Sequence, residues 1–181
     1  MIDPRGLPRA PAGSLLGVDV SKYQGRIAPA ALVSGGASFL WARVVNGTAP
    51  DPEWLFTQAS CADAGLPWGG YGVLRPGDPL AQADAFVGAL GENVPLAPVL
   101  DLEVPGVSLA STRAWLDRVE DRLGRGAIVY TYPSFWEALT REPNQEEAAD
   151  IAAIATRPLW IAHYGVRAPR VPAPWSRATI W

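Results

Sequence analysis

The chain is poor in the residue types that build disulfides and metal sites. Its 181 residues include one cysteine, Cys61, and one histidine, His163. A single thiol cannot form an intramolecular disulfide, and a single histidine cannot form a multi-histidine metal site. We therefore expect no metal and no cofactor, a buried structural thiol at Cys61 and a structural, hydrogen-bonded role for His163.

Clustered positive charge and long apolar runs are also missing. The 15 basic residues are scattered singly among 18 acidic ones, for a net charge of −3, which predicts no nucleic-acid-binding surface. No run reaches the roughly 18 apolar residues of a membrane span, and residues 1–13 lack the apolar core of a signal peptide. We expect no membrane insertion and synthesis in the cytoplasm. The fingerprints of phosphate-binding loops, dinucleotide sites and serine-hydrolase elbows do not occur.

Glycine and proline, by contrast, are abundant, with 18 of each. Residues 1–13 contain three prolines and two glycines, a composition that neither a helix nor a central strand tolerates. We predict an N-terminal arm over these residues and one domain over residues 14–181, long enough to bury a core without disulfides.

Within that domain, short apolar runs bounded by glycine or proline alternate with segments of helical periodicity. This alternation is typical of strands and crossover helices that build a parallel sheet. The leading architecture is an irregular (β/α) barrel of the TIM type with reduced helices, and an open doubly wound sheet is the alternative. The predicted strands are 15–20, 39–45, 69–74, 96–102, 127–131, 159–163 and 178–181.

The clearest helix is predicted over 111–123, because Trp115, Leu116, Val119 and Leu123 recur at spacings of three and four. Three further helices are predicted over 52–64, 79–90 and 146–155. Tryptophans inside predicted strands and helices are assigned to the core: Trp41, Trp54, Trp115 and Trp136.

The most informative motif is "VLDLE" at the end of the fourth predicted strand. Asp101 and Glu103 are two residues apart, so their side chains leave one face of the strand, while the leucines between and before them leave the other. Two carboxyl groups held close together cannot both ionise freely, so one keeps its proton to higher pH. Glycoside hydrolysis requires such a pair, one group as acid and the other as a negative partner. A solvated strand end is the structural alternative.

Asp19 ends the first predicted strand on its inward-facing set. An unpaired acid in a barrel interior is costly, so Asp19 is either hydrogen-bonded for structure or functional. Polar-tipped aromatic rings, which can stack on sugars but also pack in cores, lie in or just after the strands. They are Tyr23, Tyr71, Tyr130, Tyr132, Trp160 and Tyr164.

Taken together, these segments resemble the glycoside hydrolase family 25 lysozymes, N-acetylmuramidases that cut bacterial peptidoglycan. The likeness covers residues 16–181. It rests on "GVDVSKYQG", "FLWARVVNG", "GGYGVL", "APVLDLE", "AIVYTYPSFW", "PLWIAHYGV" and "PWSRATIW".

The resemblance implies a role for each carboxylate. Glu103 would be the general acid, and Asp101 would act as nucleophile or orient the N-acetyl group of the substrate. Asp19 would support positive charge on the sugar. The resemblance also implies that Tyr71, Tyr132 and Trp160 line the cleft, with the glycan strands of peptidoglycan as the partner. Tyr23, which follows the first predicted strand, is a further candidate substrate contact.

The sequence also departs from the family. Asn46 stands where an acidic residue is common, and Gly72 where a histidine is common. The family continues into an eighth strand, which this sequence lacks, so we expect a barrel open beside the first strand. The arm, a partner chain or a component of a phage or injection device would cover that edge. The enzyme would reach the wall after release or delivery. A non-catalytic glycan-binding or structural module on the same scaffold is the alternative function.

Overall fold

The structure is a computed structural model, and it describes residues 13–181. Its centre is one sheet of seven strands, in which the longer strands are parallel and follow the order β1-β2-β4-β5-β6-β7. The two-residue β3 pairs antiparallel with β2. The strands are β1 Leu16–Val20, β2 Ala37–Asn46, β3 Ala49–Pro50, β4 Trp68–Val73, β5 Val99–Asp101, β6 Ile128–Thr131 and β7 Leu159–Ile161.

Helices connect the strands and cover the outer face of the sheet. They are α1 Pro29–Ser34, α2 Trp54–Asp63, α3 Pro79–Leu90, α4 Leu109–Leu123, α5 Pro133–Leu139 and α6 Gln145–Ile154. Their ends follow local chemistry. Side-chain oxygens of Asp78, Ser108 and Asn144 accept backbone N–H groups in the first turns of α3, α4 and α6. Gly124 ends α4 in the left-handed conformation, with φ 63°.

The main core lies between the sheet and the helices. Leu100 and Leu102 are fully buried in it, next to Trp115 and Trp136 from the helices. This confirms the prediction that the two leucines of "VLDLE" face outward, towards the helices. The four tryptophans assigned to the core are buried, and so is Cys61, as expected.

A second apolar cluster fills the concave face of the sheet. It includes Trp41 on β2 and Trp160 on β7, whose ring centroids are 5.2 Å apart although three strands separate β2 and β7 in the sheet. The sheet is therefore strongly curled. Gly69 makes room for the Trp41 indole, because a Cβ on Gly69 would lie 2.3 Å from its Nε1. That Nε1 donates a hydrogen bond to the carbonyl of Ala97 at 3.0 Å.

The strand predicted over 178–181 is wrong. In its place the chain makes one isolated parallel bridge, in which Ile180 pairs with Trp160. The N–H groups of Thr179 and Ile180 both donate to the carbonyl of Leu159, at 2.8 and 3.2 Å, and the N–H of Ile161 donates to the carbonyl of Ile180, so the pairing extends over two residues only. Sequence periodicity also missed α1, α5 and β3, each of seven residues or fewer.

The pairing at the edges of the sheet shows whether it closes into the predicted barrel. Among residues 13–181, β1 pairs only with β2, so the curled sheet does not close into a ring through β1. The α/β class and the parallel sheet are confirmed. The predicted arm, apart from Gly13, lies outside the described residues. No helix in the described part of the chain has the length and apolar character needed to cross a membrane.

Candidate active site

A cleft opens at the carboxyl ends of the strands, on the concave face of the sheet. Its open volume is about 420 Å³. Successive strands supply its walls, since inward-facing residues of a curled parallel sheet converge on one axis. The lining residues are Asp19, Tyr71, Val99, Asp101, Glu103, Tyr130 and Trp160.

Asp101 and Glu103 lie side by side in this cleft, as the alternation of "VLDLE" predicts. Asp101 is the last residue of β5 and is buried, and its Oδ1 has no hydrogen-bond partner. Burial raises the pKa of Asp101 well above its ordinary value, and the negative charge of Glu103 raises it further. Glu103, two residues beyond, is half-buried, and desolvation also raises its pKa.

Asp19 joins them in the cleft lining from β1. Its side chain is exposed at the rim, yet the surrounding walls desolvate it enough to raise its pKa. The charge of Asp19 contributes to the raised pKa values of both Glu103 and Asp101. The structure therefore brings together the three carboxylates that sequence analysis singled out, and each of them holds its proton more tightly than in water.

Two of the four predicted aromatic contacts line the cleft. Tyr71 on β4 and Trp160 on β7 are both half-buried. Tyr130, which sequence analysis named only among the aromatic candidates, lines it too and meets Trp160 edge to face, with ring centroids 5.2 Å apart. Burial raises the pKa values of Tyr71 and Tyr130 above their ordinary range, so both hydroxyls stay protonated at neutral pH.

The other two predicted aromatic residues lie outside the cleft lining. Tyr132 occupies the N-cap position of α5, half-buried, with its ring against Phe135 at a centroid distance of 5.6 Å. Tyr23 follows β1 and is 78% exposed. Its ring lies over the Arg43 guanidinium at 5.2 Å. His163 accepts a hydrogen bond at Nδ1 from the backbone N–H of Arg170 at 2.9 Å, in keeping with its expected structural role.

A buried ion pair, which the sequence patterns did not predict, lies near the cleft. Arg43 on β2 faces the same side of the sheet as Tyr71, its register partner on β4, and its Nε donates to Asp51 at 2.7 Å. The positive charge of Arg43 opposes the rise in the pKa values of Asp101 and Tyr71. A basic residue in an otherwise apolar strand, "FLWARVV", was the available signal.

The arrangement suits acid catalysis by carboxyl groups. No group of three or more histidine, cysteine, aspartate or glutamate side chains within residues 13–181 is arranged to hold a metal ion. When two carboxyl groups are neighbours and one is more buried than the other, one can donate a proton while the other carries the negative charge that stabilises the developing cation. Half-buried aromatic rings on both sides provide surfaces for a sugar.

Comparison with known proteins identifies the family. The profile described as "Glycosyl hydrolases family 25" matches residues 18–181. The chain belongs to glycosyl hydrolases family 25. The match begins one residue before Asp19 and includes the whole cleft, as the resemblance in the sequence implied.

Similar proteins support this assignment. The chain is 31% identical to Lysozyme M1 of Streptomyces globisporus over 99% of its own length, and it spans 65% of that protein. It is 33% identical to the N,O-diacetylmuramidase of Chalaropsis sp., covering 91% of this chain and 85% of the relative.

Solved structures agree. The bacterial lysozyme of Streptomyces coelicolor superimposes with a TM-score of 0.79 and 30% identity, covering 93% of this chain and 83% of that one. The muramidase of Trichobolus zukalii gives a TM-score of 0.78 and 28% identity, covering 92% and 85%.

Proposed function

We propose that this family 25 protein is a peptidoglycan hydrolase, an N-acetylmuramidase. It cleaves the β-1,4 bond between N-acetylmuramic acid and N-acetylglucosamine in bacterial cell walls. The observation that supports this most strongly is the pair Asp101 and Glu103, which face one cleft and both have raised pKa values. The lysozyme and muramidase names of the similar proteins point to the same substrate.

In this proposal Glu103 protonates the glycosidic oxygen. Its raised pKa keeps a proton available at a pH where an ordinary glutamate has lost it, and its partial exposure lets a leaving group reach it. Asp101 is the second carboxyl group of the mechanism, and it acts either as the nucleophile or by orienting the N-acetyl group of the substrate. Asp19 lines the same cleft and stabilises the positive charge that develops on the sugar ring.

The aromatic residues bind the glycan strand. Tyr71 and Trp160 form walls of the cleft itself, where their rings can stack on pyranose faces and their polar tips can bond hydroxyls. Tyr23 and Tyr132 lie farther out and would contact sugars only beyond the cleaved bond. The sequential parallel order of the sheet supports an irregular, open form of a (β/α) barrel as the scaffold.

We further propose that the protein acts on the wall after release or delivery from the cell that makes it, since peptidoglycan is its substrate. A partner chain or a delivery component beside β1 would be compatible with the single pairing of that strand within residues 13–181. The alternative of a non-catalytic module is not favoured, because all three carboxylates are present and converge on one cleft.

The test is clearance of a cell-wall suspension by the unmodified protein and by Glu103→Gln. General acid catalysis typically contributes about 10²–10⁴-fold, so the variant should lose most of the lytic rate while its thermal unfolding is little changed. A Glu103→Gln protein that clears walls as fast as the unmodified one would remove Glu103 from the mechanism. If the unmodified protein clears nothing, the proposed function itself fails.

A further inference from the structure

Within residues 13–181, an arginine without a carboxylate partner lies at the same end of the sheet as the cleft, outside the cleft lining. Arg75 follows the end of β4, at the carboxyl ends of the strands. The residue before it, Leu74, donates its backbone N–H to the carbonyl of Asp101 at 3.1 Å, so this loop is tied to the end of β5. Arg75 itself is exposed. Its positive charge is close enough to oppose the rise in the pKa of Asp101.

The backbone of Arg75 is held by a buried glutamine. Gln82 on α3 is only 4% exposed. Its Oε1 accepts the N–H of Arg75 at 2.8 Å, and its Nε2 donates to the carbonyl of Arg75 at 2.9 Å. The same Nε2 reaches the carbonyl of Asp78 at 3.2 Å. Both backbone groups of Arg75 are therefore hydrogen-bonded to one buried side chain, which fixes the position of this loop.

The side chain of Arg75 is also oriented. Its Nε donates to Oδ1 of Asn46, at the end of β2, at 2.7 Å. Its stem passes over Gly47, where a Cβ would lie 3.4 Å from Cγ of Arg75. Asn46 is neutral, so it aims the guanidinium without cancelling its charge. Within residues 13–181 no carboxylate forms an ion pair with Arg75, although most other arginines in that range have one.

The charged groups near Arg75 indicate which kind of ligand it could bind. The cleft near it contains Asp19, Asp101 and Glu103, and whichever of these groups is ionised repels an anionic substrate. Arg43 cannot pair with a ligand, because it is buried and already bonded to Asp51. Arg75 is exposed, and its terminal Nη groups are the part of the guanidinium that the bond to Asn46 does not use.

We propose that Arg75 is a substrate-binding residue that pairs with a carboxylate on the peptidoglycan, one carried by the lactyl group or the peptide stem of the muramic acid unit. The planar fork of a guanidinium matches a carboxylate in two parallel hydrogen bonds. Because the carboxylates of peptidoglycan belong to its muramic acid units, this contact selects which sugar occupies the site beside Arg75. The inference rests on the proposed muramidase function.

The test compares Arg75→Gln, Arg75→Lys and the unmodified protein on two soluble, uncrosslinked peptidoglycan preparations. One is native, and in the other the carboxyl groups have been converted to amides with a carbodiimide and ammonium. Arg122→Gln is the matched control. It makes the same charge change in the last turn of α4, which leads towards the start of β6 and thus to the end of the sheet opposite the cleft.

On native substrate Arg75→Gln should raise KM roughly ten- to a hundredfold, the range for a lost hydrogen bond to a charged group, with kcat nearly unchanged. Arg75→Lys should recover part of that loss. On the amidated substrate the unmodified protein and Arg75→Gln should have equal KM values. Arg122→Gln should match the unmodified protein on both.

Two results would overturn the inference: equal KM values on native substrate, or an equal loss from Arg75→Gln on both substrates. Binding separates this failure from failure of the proposed function. Sedimentation with native and amidated insoluble walls, in a Glu103→Gln background with and without Arg75→Gln, measures the carboxylate contact when no bond is cleaved. A carboxylate-dependent difference supports the role of Arg75 there, and its absence refutes it.

Discussion

Asp51 accepts a hydrogen bond from Nε of Arg43 at 2.7 Å, in a pair whose side chains are 1% and 7% exposed. The same carboxylate accepts the backbone N–H of Lys22 at 3.1 Å and that of Glu53 at 3.0 Å. Asp51 thus joins three segments: the turn after β1, the strand β2 and the residues that lead into α2. Tyr23 lies over the guanidinium, so the pair also positions the rim of the cleft nearest Asp19.

Removing Asp51 should therefore be severe. Asp51→Ala leaves the Arg43 charge buried without its partner and two backbone donors unpaired, and breaking a buried pair in this way costs about 3–5 kcal/mol. Urea unfolding measures the loss. Asp84→Ala is the control, because Asp84 pairs with Arg118 and Arg122 on the surface, where solvent screens an ion pair and its loss changes stability little. Similar losses for the two variants would contradict the structural role of Asp51.

Two glycines should respond to alanine in opposite directions. At Gly69 a Cβ would lie 2.3 Å from Nε1 of Trp41 and 2.9 Å from the Cβ of Leu96, so Gly69→Ala should destabilise the protein by about 1–3 kcal/mol. At Gly88, inside α3, a Cβ would meet nothing within 4 Å, and Gly88→Ala should stabilise it by about 0.5–1 kcal/mol. Thermal unfolding of both variants measures whether each substitution raises or lowers stability. A Gly69→Ala protein as stable as the unmodified one would contradict the close contact between Gly69 and the Trp41 indole.

Asp101→Asn should make the protein more stable at neutral pH while removing activity. The folded-state pKa of Asp101 is raised, so the stability that its protonation supplies is fully present below the ordinary value of 3.8 and is lost as pH rises through the folded pKa. Asparagine avoids that loss, and a gain of about 1 kcal/mol or more at pH 7 is expected. Urea unfolding at several pH values should show the gain shrinking towards pH 3.8. If the gain in the free energy of unfolding is the same at all pH values, the raised pKa of Asp101 is not its cause.

The charge of Asp19 should influence the pH at which kcat/KM falls on the alkaline side of its profile. Glu103 must be protonated to act as an acid, and after desolvation the negative charge of Asp19 is the cause that raises its pKa. Asp19→Asn should therefore move the alkaline limb of the kcat/KM profile to lower pH, in addition to any loss of rate. Asp63→Asn, an exposed change on α2, is the control and should leave the limb in place. A limb that does not move in Asp19→Asn would show that Asp19 and Glu103 do not interact.

The sequence was most predictive where a single strand decides the geometry. Alternation along "VLDLE" is enough to place Asp101 and Glu103 on one face and Leu100 on the other, because a strand has a period of two. Asp19 could be included because strands of a parallel sheet bring their carboxyl ends to the same edge. Periodicity likewise located Trp54 and Trp115 on helices and the four longer helices to within a few residues.

What the sequence could not predict depends on contacts between distant segments. Arg43 and Asp51 are in different elements, and nothing in either local pattern indicates that they pair. The segment 178–181 has strand-forming residues, but its backbone pairing with β7 is limited to Thr179 and Ile180, which is too short for a strand. Tyr132 and Tyr23 were candidates because of where their strands end, while the turns that follow direct their rings away from the cleft lining.

The reducing end of the product shows which bond the enzyme cuts. Purified peptidoglycan is digested with the unmodified protein, the new ends are reduced with borohydride, and the fragments are identified by mass. A muramidase gives reduced muramic acid at every new end, and Glu103→Gln should give none. Reduced glucosamine, or no soluble fragments from the unmodified protein, would contradict the proposed muramidase activity.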